Sequence, residues 1–262
     1  MTPPRMPHTR ARAGTNIRTR TCRRAAAASC CLAAFLAACA VPRQAPPPLP
    51  PPAAVTAVQP ATPPVDVFAA LLEGRAGGPV LRIADGALIA VTVRRGGALA
   101  RLGHDHVVAA RRIDGHVDPA AGLAALRFRL DEMTVDEAAL RDEAGLAKQP
   151  SADAIAGTRV NMLTKVLDAE RYPFVEVRAR RTGETGPLQA DITLHGMTRS
   201  YAVPTTIDLA AQGLVARGTL TLKQSDFGIT PFSVLGGAMA VQDALEIRFV
   251  LPARPAAPDA VR

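Results

Sequence analysis

From Pro79 to the low 250s, apolar and polar residues alternate along the chain. In Leu126-Arg127-Phe128-Arg129-Leu130-Asp131 the apolar residues fall on even positions and the charges on odd ones. Val175, Val177 and Ala179 alternate with Glu176, Arg178 and Arg180. Leu188, Ala190, Ile192 and Leu194 alternate with Gln189, Asp191 and Thr193. Tyr201, Val203 and Ile207 share a parity, as do Leu220 and Leu222, and Leu245, Ile247, Phe249 and Leu251 close the series. Successive side chains point to opposite faces of a strand, so each run predicts one wet and one dry face. One-sided strands of this kind belong to antiparallel sheets. After Leu130 the parity switches, with Met133 and Val135 carrying the apolar face, which predicts a bulge or bend there. Eight or nine such strands in succession predict an all-β barrel or sandwich, and closure removes the exposed edges of an open sheet.

Thr158–Asp168 breaks the period. Its apolar residues recur at 160, 163 and 167 and at 162 and 166, which predicts a helix of two to three turns. Thr158 is the expected cap and Pro173 the expected stop. Such a helix either covers core or lies over the mouth of a barrel. A shorter helix is expected in Val65–Glu73, ahead of Gly77-Gly78. The charge-rich segment 131–148 reads as a solvated connection.

The first forty residues follow a different pattern. An Arg-rich start leads into fourteen uncharged, mostly apolar residues, Ala25–Ala38. This is too short to cross a bilayer as a helix, which takes about 20 residues, and it matches a secretory signal. The run ends Leu36-Ala37-Ala38-Cys39, which resembles the lipobox of bacterial lipoproteins. The resemblance implies cleavage before Cys39 and acylation of its thiol, and hence a membrane anchor. Ala40 stands where the same resemblance would put an Asp for inner-membrane retention, so the outer membrane is expected, with the protein in the periplasmic space. Residues 42–64 contain ten Pro. Pro fixes φ and lacks an N–H, so an extended tether is expected, reaching about 70 Å at 3.1 Å per residue.

Charge and cysteine usage follow from this organisation. The chain of 262 residues has a net charge of +8, but residues 1–38 hold seven Arg and no acid. Removing them leaves 24 basic against 23 acidic residues, and no basic face for nucleic acid. The four Cys, at 22, 30, 31 and 39, all precede the folded part, so no disulfide and no zinc ribbon is expected there.

Candidate chemistry is sparse. His104 and His106 would face one way on a strand, and His116 follows on what is expected to be the paired strand. Neutral imidazoles in that pattern suit a metal, and Asp105 and Asp114 could orient them. The competing reading, which we prefer, is a polar rim of hydrogen-bonded histidines. His195-Gly196 reads as hairpin turn chemistry, with the His bonding across the hairpin. Asp226-Phe227-Gly228 reads as the start of a strand with Phe227 packed inward. The folded part has no Gly-x-Ser-x-Gly elbow and no Cys nucleophile, so no catalytic residue is assigned.

Four stretches, in order, resemble the YceI-like family of bacterial exported proteins. They are Gly103-His104-Asp105-His106 with Gly115-His116-Val117-Asp118; Val166–Val175, with Tyr172-Pro173; Leu194-His195-Gly196-Met197-Thr198-Arg199; and Ser225-Asp226-Phe227-Gly228-Ile229. The resemblance spans about residues 79–252. It implies an elongated, lipocalin-like antiparallel β-barrel of about eight strands, and an apolar isoprenoid-like ligand such as a polyprenyl or quinone-type chain. On the dry face Leu126, Phe128, Leu130, Val175, Val177, Ile192, Leu220 and Phe249 are the expected lining. Small residues there, Ala179, Ala190, Ala216 and Gly218, leave room for a guest. The expected organisation is a signal at 1–38, tether and short helix at 39–78, barrel at 79–254 and a tail at 255–262. Three functions compete: a lipid-anchored binder with no cofactor beyond a bound isoprenoid, an envelope docking or stress-response factor with a filled core, and a His-metal enzyme.

Overall fold

The computed structural model describes residues 66–75, 79–146, 148–183 and 186–256. The signal, Cys39, the Pro-rich tether and the end of the tail lie outside the described residues. Among those described, no helix is long and apolar enough to cross a membrane.

The alternating segments form thirteen strands of one antiparallel sheet. They are β1 (Leu81–Ile83), β2 (Leu88–Gly96), β3 (His106–Ala110), β4 (Asp114–Asp118), β5 (Leu123–Arg129), β6 (Thr134–Val135) and β7 (Phe174–Arg181). Then come β8 (Leu188–Leu194), β9 (Met197–Val203), β10 (Thr205–Ala210), β11 (Gly213–Lys223), β12 (Ser233–Val234) and β13 (Met239–Pro255). Several are halves of one bent strand. β2 pairs with β3 and β1 with β4, so β1–β2 runs as one stave against β3–β4. In turn β3–β4 lies against β5–β6. β9 pairs with β8, but β10 pairs with β11, and the partner changes at Pro204, which has no N–H to offer a ladder. β7 joins β5 to β8. The long β13 takes β11 on one side and β2 and β1 on the other, which closes a ring of eight staves. The fold is thus a lipocalin-like, all-β up-and-down barrel with a few helices.

The bend after Leu130 is a 3₁₀ turn, Leu130–Glu132, instead of a bulge. Leu130 and Met133 are both buried, so the turn keeps the apolar face inward across the parity switch. A second local feature depends on the absence of a side chain. Gly115 of β4 sits directly across from Leu126, and a Cβ there would lie 2.4 Å from the Ala125 carbonyl oxygen. Gly115→Ala is therefore expected to lower stability by about 1–3 kcal/mol in urea titration. An unchanged midpoint would refute this account of the close approach.

Among the described residues three α-helices decorate the barrel: α1 (Val67–Leu72), α2 (Ala138–Glu143) and α3 (Ala152–Asn161). Asp66 caps α1, accepting from the Phe68 and Ala69 amides at 3.0 and 3.2 Å. α1 packs outside β4 and β5 with Leu71 buried. α3 starts seven residues earlier than the periodicity suggested. Ser151, not Thr158, caps it by accepting from the Ala154 amide at 3.3 Å. Apart from Ile155, the first turns carry only small or polar residues and a Gly, so they leave no apolar period to read. The helix then widens into a π turn, Met162–Val166. It ends at Asp168, whose φ of 44° leaves the helical region well before Pro173.

The segment 131–148 is also not simply solvated. α2 and the turn that follows it lay Leu140 and Leu146 over the outer face of β2 and β3, burying Leu88, Ala90, Val107 and Ala109. This explains the run Val107-Val108-Ala109-Ala110, apolar on both faces. One face looks into the barrel and the other lies under α2.

Candidate functional site: an apolar barrel cavity with one anchored histidine

The inward side chains of the ring do not meet in the middle. They enclose a cavity of about 380 Å³, inside the range of small-molecule sites. The structure places all eight expected lining residues, Leu126, Phe128, Leu130, Val175, Val177, Ile192, Leu220 and Phe249, on its wall. Seven are on the wall because strand parity puts them there, and Leu130 because the 3₁₀ turn keeps it inward. Ala179, Ala190 and Ala216 also line it. Gly218 is used differently: a Cβ there would lie 2.4 Å from the Pro204 carbonyl oxygen and 2.6 Å from the Phe249 ring. It lets the bent strand and that ring approach.

The cavity wall runs from one end of the barrel to the other. At one end it includes Asp118, Pro119, Gly122, Arg181 and Thr205, from the β4–β5 and β7–β8 hairpins and the start of β10. At the opposite end it includes Thr158, Asn161 and Met162 of the helical segment, with His106, Gln224 and Phe232. The helical segment forms part of the wall, so it does more than cover core.

The three histidines part company. His106 pairs with Val93 and His116 with Arg82, so they sit at opposite ends of one bent strand instead of on paired strands. Ten residues at about 3.3 Å each separate them by roughly 30 Å. His116 instead bonds the Leu72 carbonyl at 3.2 Å, through Nδ1, and holds the end of α1. A metal site made of His104, His106 and His116 together is excluded by that distance. Among the described residues no group of three or more His, Cys, Asp or Glu is placed to hold a metal ion.

His106 lies in a constellation that the sequence reading missed. Its Nδ1 is 2.6 Å from Asp136 Oδ2. The other carboxylate oxygen accepts from the Val107 amide at 3.0 Å and from Arg141 Nη1 at 2.6 Å. Arg141 Nη1 also donates to the Asp105 carbonyl at 2.8 Å, and its Nη2 donates to the Lys148 carbonyl. Asp136 and Arg141 are only 3% and 2% exposed, though they come from the most charged stretch of the chain. Burial opposes the Asp136 carboxylate, yet the hydrogen bonds from His106, Val107 and Arg141 outweigh it and hold its pKa below the ordinary value. Asp136 also adopts a φ of 56°, a left-handed conformation that Asp tolerates better than most residues. His104, its ring 6.2 Å from that of His106, has its pKa lowered first by burial and then by the nearby Lys148 and Arg141 charges. The available signal was Leu140 beside Arg141. An apolar helix face in a charged segment must be buried, and it carries its neighbours inward.

The remaining motif residues brace the helical end. His195 and Gly196 both have positive φ, 52° and 73°, as a type I′ turn between β8 and β9 requires. His195 reaches the Phe227 carbonyl at 3.3 Å, not across its own hairpin, and packs against the Tyr172 ring in a tilted arrangement, centroids 4.7 Å apart. Asp226-Phe227 belongs to a 3₁₀ turn, Gln224–Phe227, with Phe227 fully buried. Tyr201 donates to Asp226 Oδ2 at 3.2 Å, and burial together with that carboxylate pushes its pKa up to about 12.

The model of the YceI-like domain matches residues 106–253, from the first residue of β3 almost to the end of β13. The chain belongs to the YceI-like family. Among solved structures it is similar to a polyisoprenoid binding domain from Saccharophagus degradans, with 12% identity, a TM-score of 0.48, and 68% of this chain and 98% of that one covered. It is also similar to BcnA of Burkholderia cenocepacia, with 15% identity, a TM-score of 0.44, and 63% and 95% covered. A third is the YceI protein of Campylobacter jejuni, with 14% identity, a TM-score of 0.39, and 56% and 81% covered. A search of curated proteins finds no match. The matched span of this YceI-like chain holds His106, Asp136, Arg141 and all eight lining residues, while His104 precedes it.

Proposed function

We propose that this YceI-like protein is an exported, lipid-anchored carrier that binds an isoprenoid-like amphiphile inside its barrel and performs no chemistry on it. The observation that carries the reading is the hollow apolar interior: side chains of alternating parity line a cavity of about 380 Å³. An empty apolar space of this kind forgoes dispersion contacts that a guest chain would restore. A guest would gain roughly 25 cal/mol for each Å² of its apolar surface taken from water. The similar domain from Saccharophagus degradans is described as polyisoprenoid binding, which supports the ligand class. A filled core, as the docking-factor reading requires, fits this interior poorly.

Two experiments test the proposal. Protein purified from its native envelope, extracted with organic solvent and examined by mass spectrometry should release an isoprenoid-like chain in near-stoichiometric amount. Repeated preparations without any apolar molecule would count against the carrier. Replacing Cys39 by Ser should move the protein from the membrane fraction to the soluble fraction, because the acyl chains are the expected anchor. Retention in the membrane fraction would remove the lipoprotein part of the reading.

A further inference from the structure

We propose that His106 reads the polar end of the guest, and that it selects a chain ending in a hydrogen-bond donor, a free hydroxyl, over the same chain ending in an acceptor alone. The inference rests on the carrier reading and adds the direction in which the guest lies and the chemistry of its head.

The apolar wall is interrupted by few polar side chains, and they differ in how they are held. At the hairpin end, Arg181 is exposed and Asp118 is spent on the Ala121 amide, at 2.9 Å, within its own turn. At the helical end, Thr158 and Asn161 come from α3, and Gln224 is buried with its Nε2 committed to the Gln242 carbonyl at 2.9 Å; none of the three is held by a carboxylate. His106 is different. It shares the inward parity of Val108, it lines the cavity, and its ring is fixed from behind. Nδ1 is taken by Asp136, so Nε2 is the ring atom left for a guest.

The partner dictates what Nε2 can do. Asp136 is a carboxylate engaged by Arg141 and the Val107 amide, so toward Nδ1 it can only accept. The proton of a neutral ring must therefore sit on Nδ1, which leaves a lone pair on Nε2. A lone pair accepts from a hydroxyl and has nothing to give an ether or carbonyl oxygen. Arg141 holds the other oxygen of the same carboxylate, so Asp136 is fixed in place behind the ring. A carboxylate behind a histidine sets the orientation and basicity of metal-ligating rings in the same way. Here the ring faces an oily channel instead of a metal. The guest's chain then runs from His106 toward the β4–β5 and β7–β8 hairpins.

The test uses a matched pair of probes, geranylgeraniol and its methyl ether, which share the chain and differ in the donor. The purified barrel protein should bind the alcohol about 5-fold more tightly than the ether, the worth of one net hydrogen bond. His106→Leu should bind both equally, with its ether affinity retained. Wild-type protein carrying ¹⁵N-labelled histidine provides a readout that does not depend on the variant folding. Its His106 Nε2 resonance should move on adding the alcohol and stay in place with the ether. Equal affinities in the wild type, or an unmoved Nε2 resonance on adding the alcohol, would overturn the role of His106 and leave the carrier intact. Failure of the wild type to bind either probe would remove the carrier reading and this inference with it.

Discussion

Arg141→Met is expected to cost about 3–5 kcal/mol of folding stability, seen as an early midpoint in urea or thermal unfolding. The reason is Asp136, which is buried and, without Arg141, keeps only His106 and one amide to compensate its charge. A buried pair contributes little net stability as a whole, because desolvation offsets most of the attraction, but removing one partner strands the other. The double variant Asp136→Leu with Arg141→Met is accordingly expected to lose clearly less than the sum of the two single changes. Additive losses would show that the two residues do not act as a unit. Acid should expose the same group. The folded pKa of Asp136 lies below its unfolded value near 3.9, so its stabilisation is complete above that value and is lost as pH falls through the folded pKa. Asp136→Asn should therefore be less stable at neutral pH but show a shallower loss below about pH 4.

Ala190→Phe is expected to abolish most ligand binding while leaving a folded barrel. Ala190 lies on β8 opposite Ala179 of β7 and Tyr201 of β9, and both alanines line the cavity. A phenyl ring there would fill space that a guest chain needs. A guest losing about 120 Å² of apolar burial would lose roughly 3 kcal/mol, or about 100-fold in affinity. The barrel itself should change by about 1–3 kcal/mol at most, because the ring enters free space before it meets a wall. Native circular dichroism together with lost uptake of geranylgeraniol is the expected pair of observations. Undiminished uptake would mean that the guest lies elsewhere.

The wall of the cavity was legible residue by residue. Leu126, Phe128, Val175, Val177, Ile192, Leu220 and Phe249 each have at least one polar neighbour of opposite parity, and only the folded direction of the dry face was needed to place them. Leu130 came with them because the 3₁₀ turn preserves its inward side. Placement failed where a residue's surroundings come from a distant part of the chain. Three histidines spaced 104, 106 and 116 suggested a cluster. The bent strand instead carries His116 to the far end of the barrel, against α1. Asp136 and Arg141 looked like ordinary surface charges, because nothing near them in sequence shows that α2 folds down over β2 and β3. The start of α3 was hidden for a different reason. Ser151 caps a first stretch of small residues, which carries a cap signal but almost no apolar period.

By itself the sequence determined that this is an antiparallel all-β protein with a one-sided dry face, because alternation is a property of each strand's own geometry. The tertiary structure alone decided that β13 closes the ring, that the interior stays hollow, and that one histidine is anchored from behind by a buried ion pair. Those outcomes depend on which surfaces meet across the barrel and how completely they fill the space between them. Parity along a single strand carries no record of either.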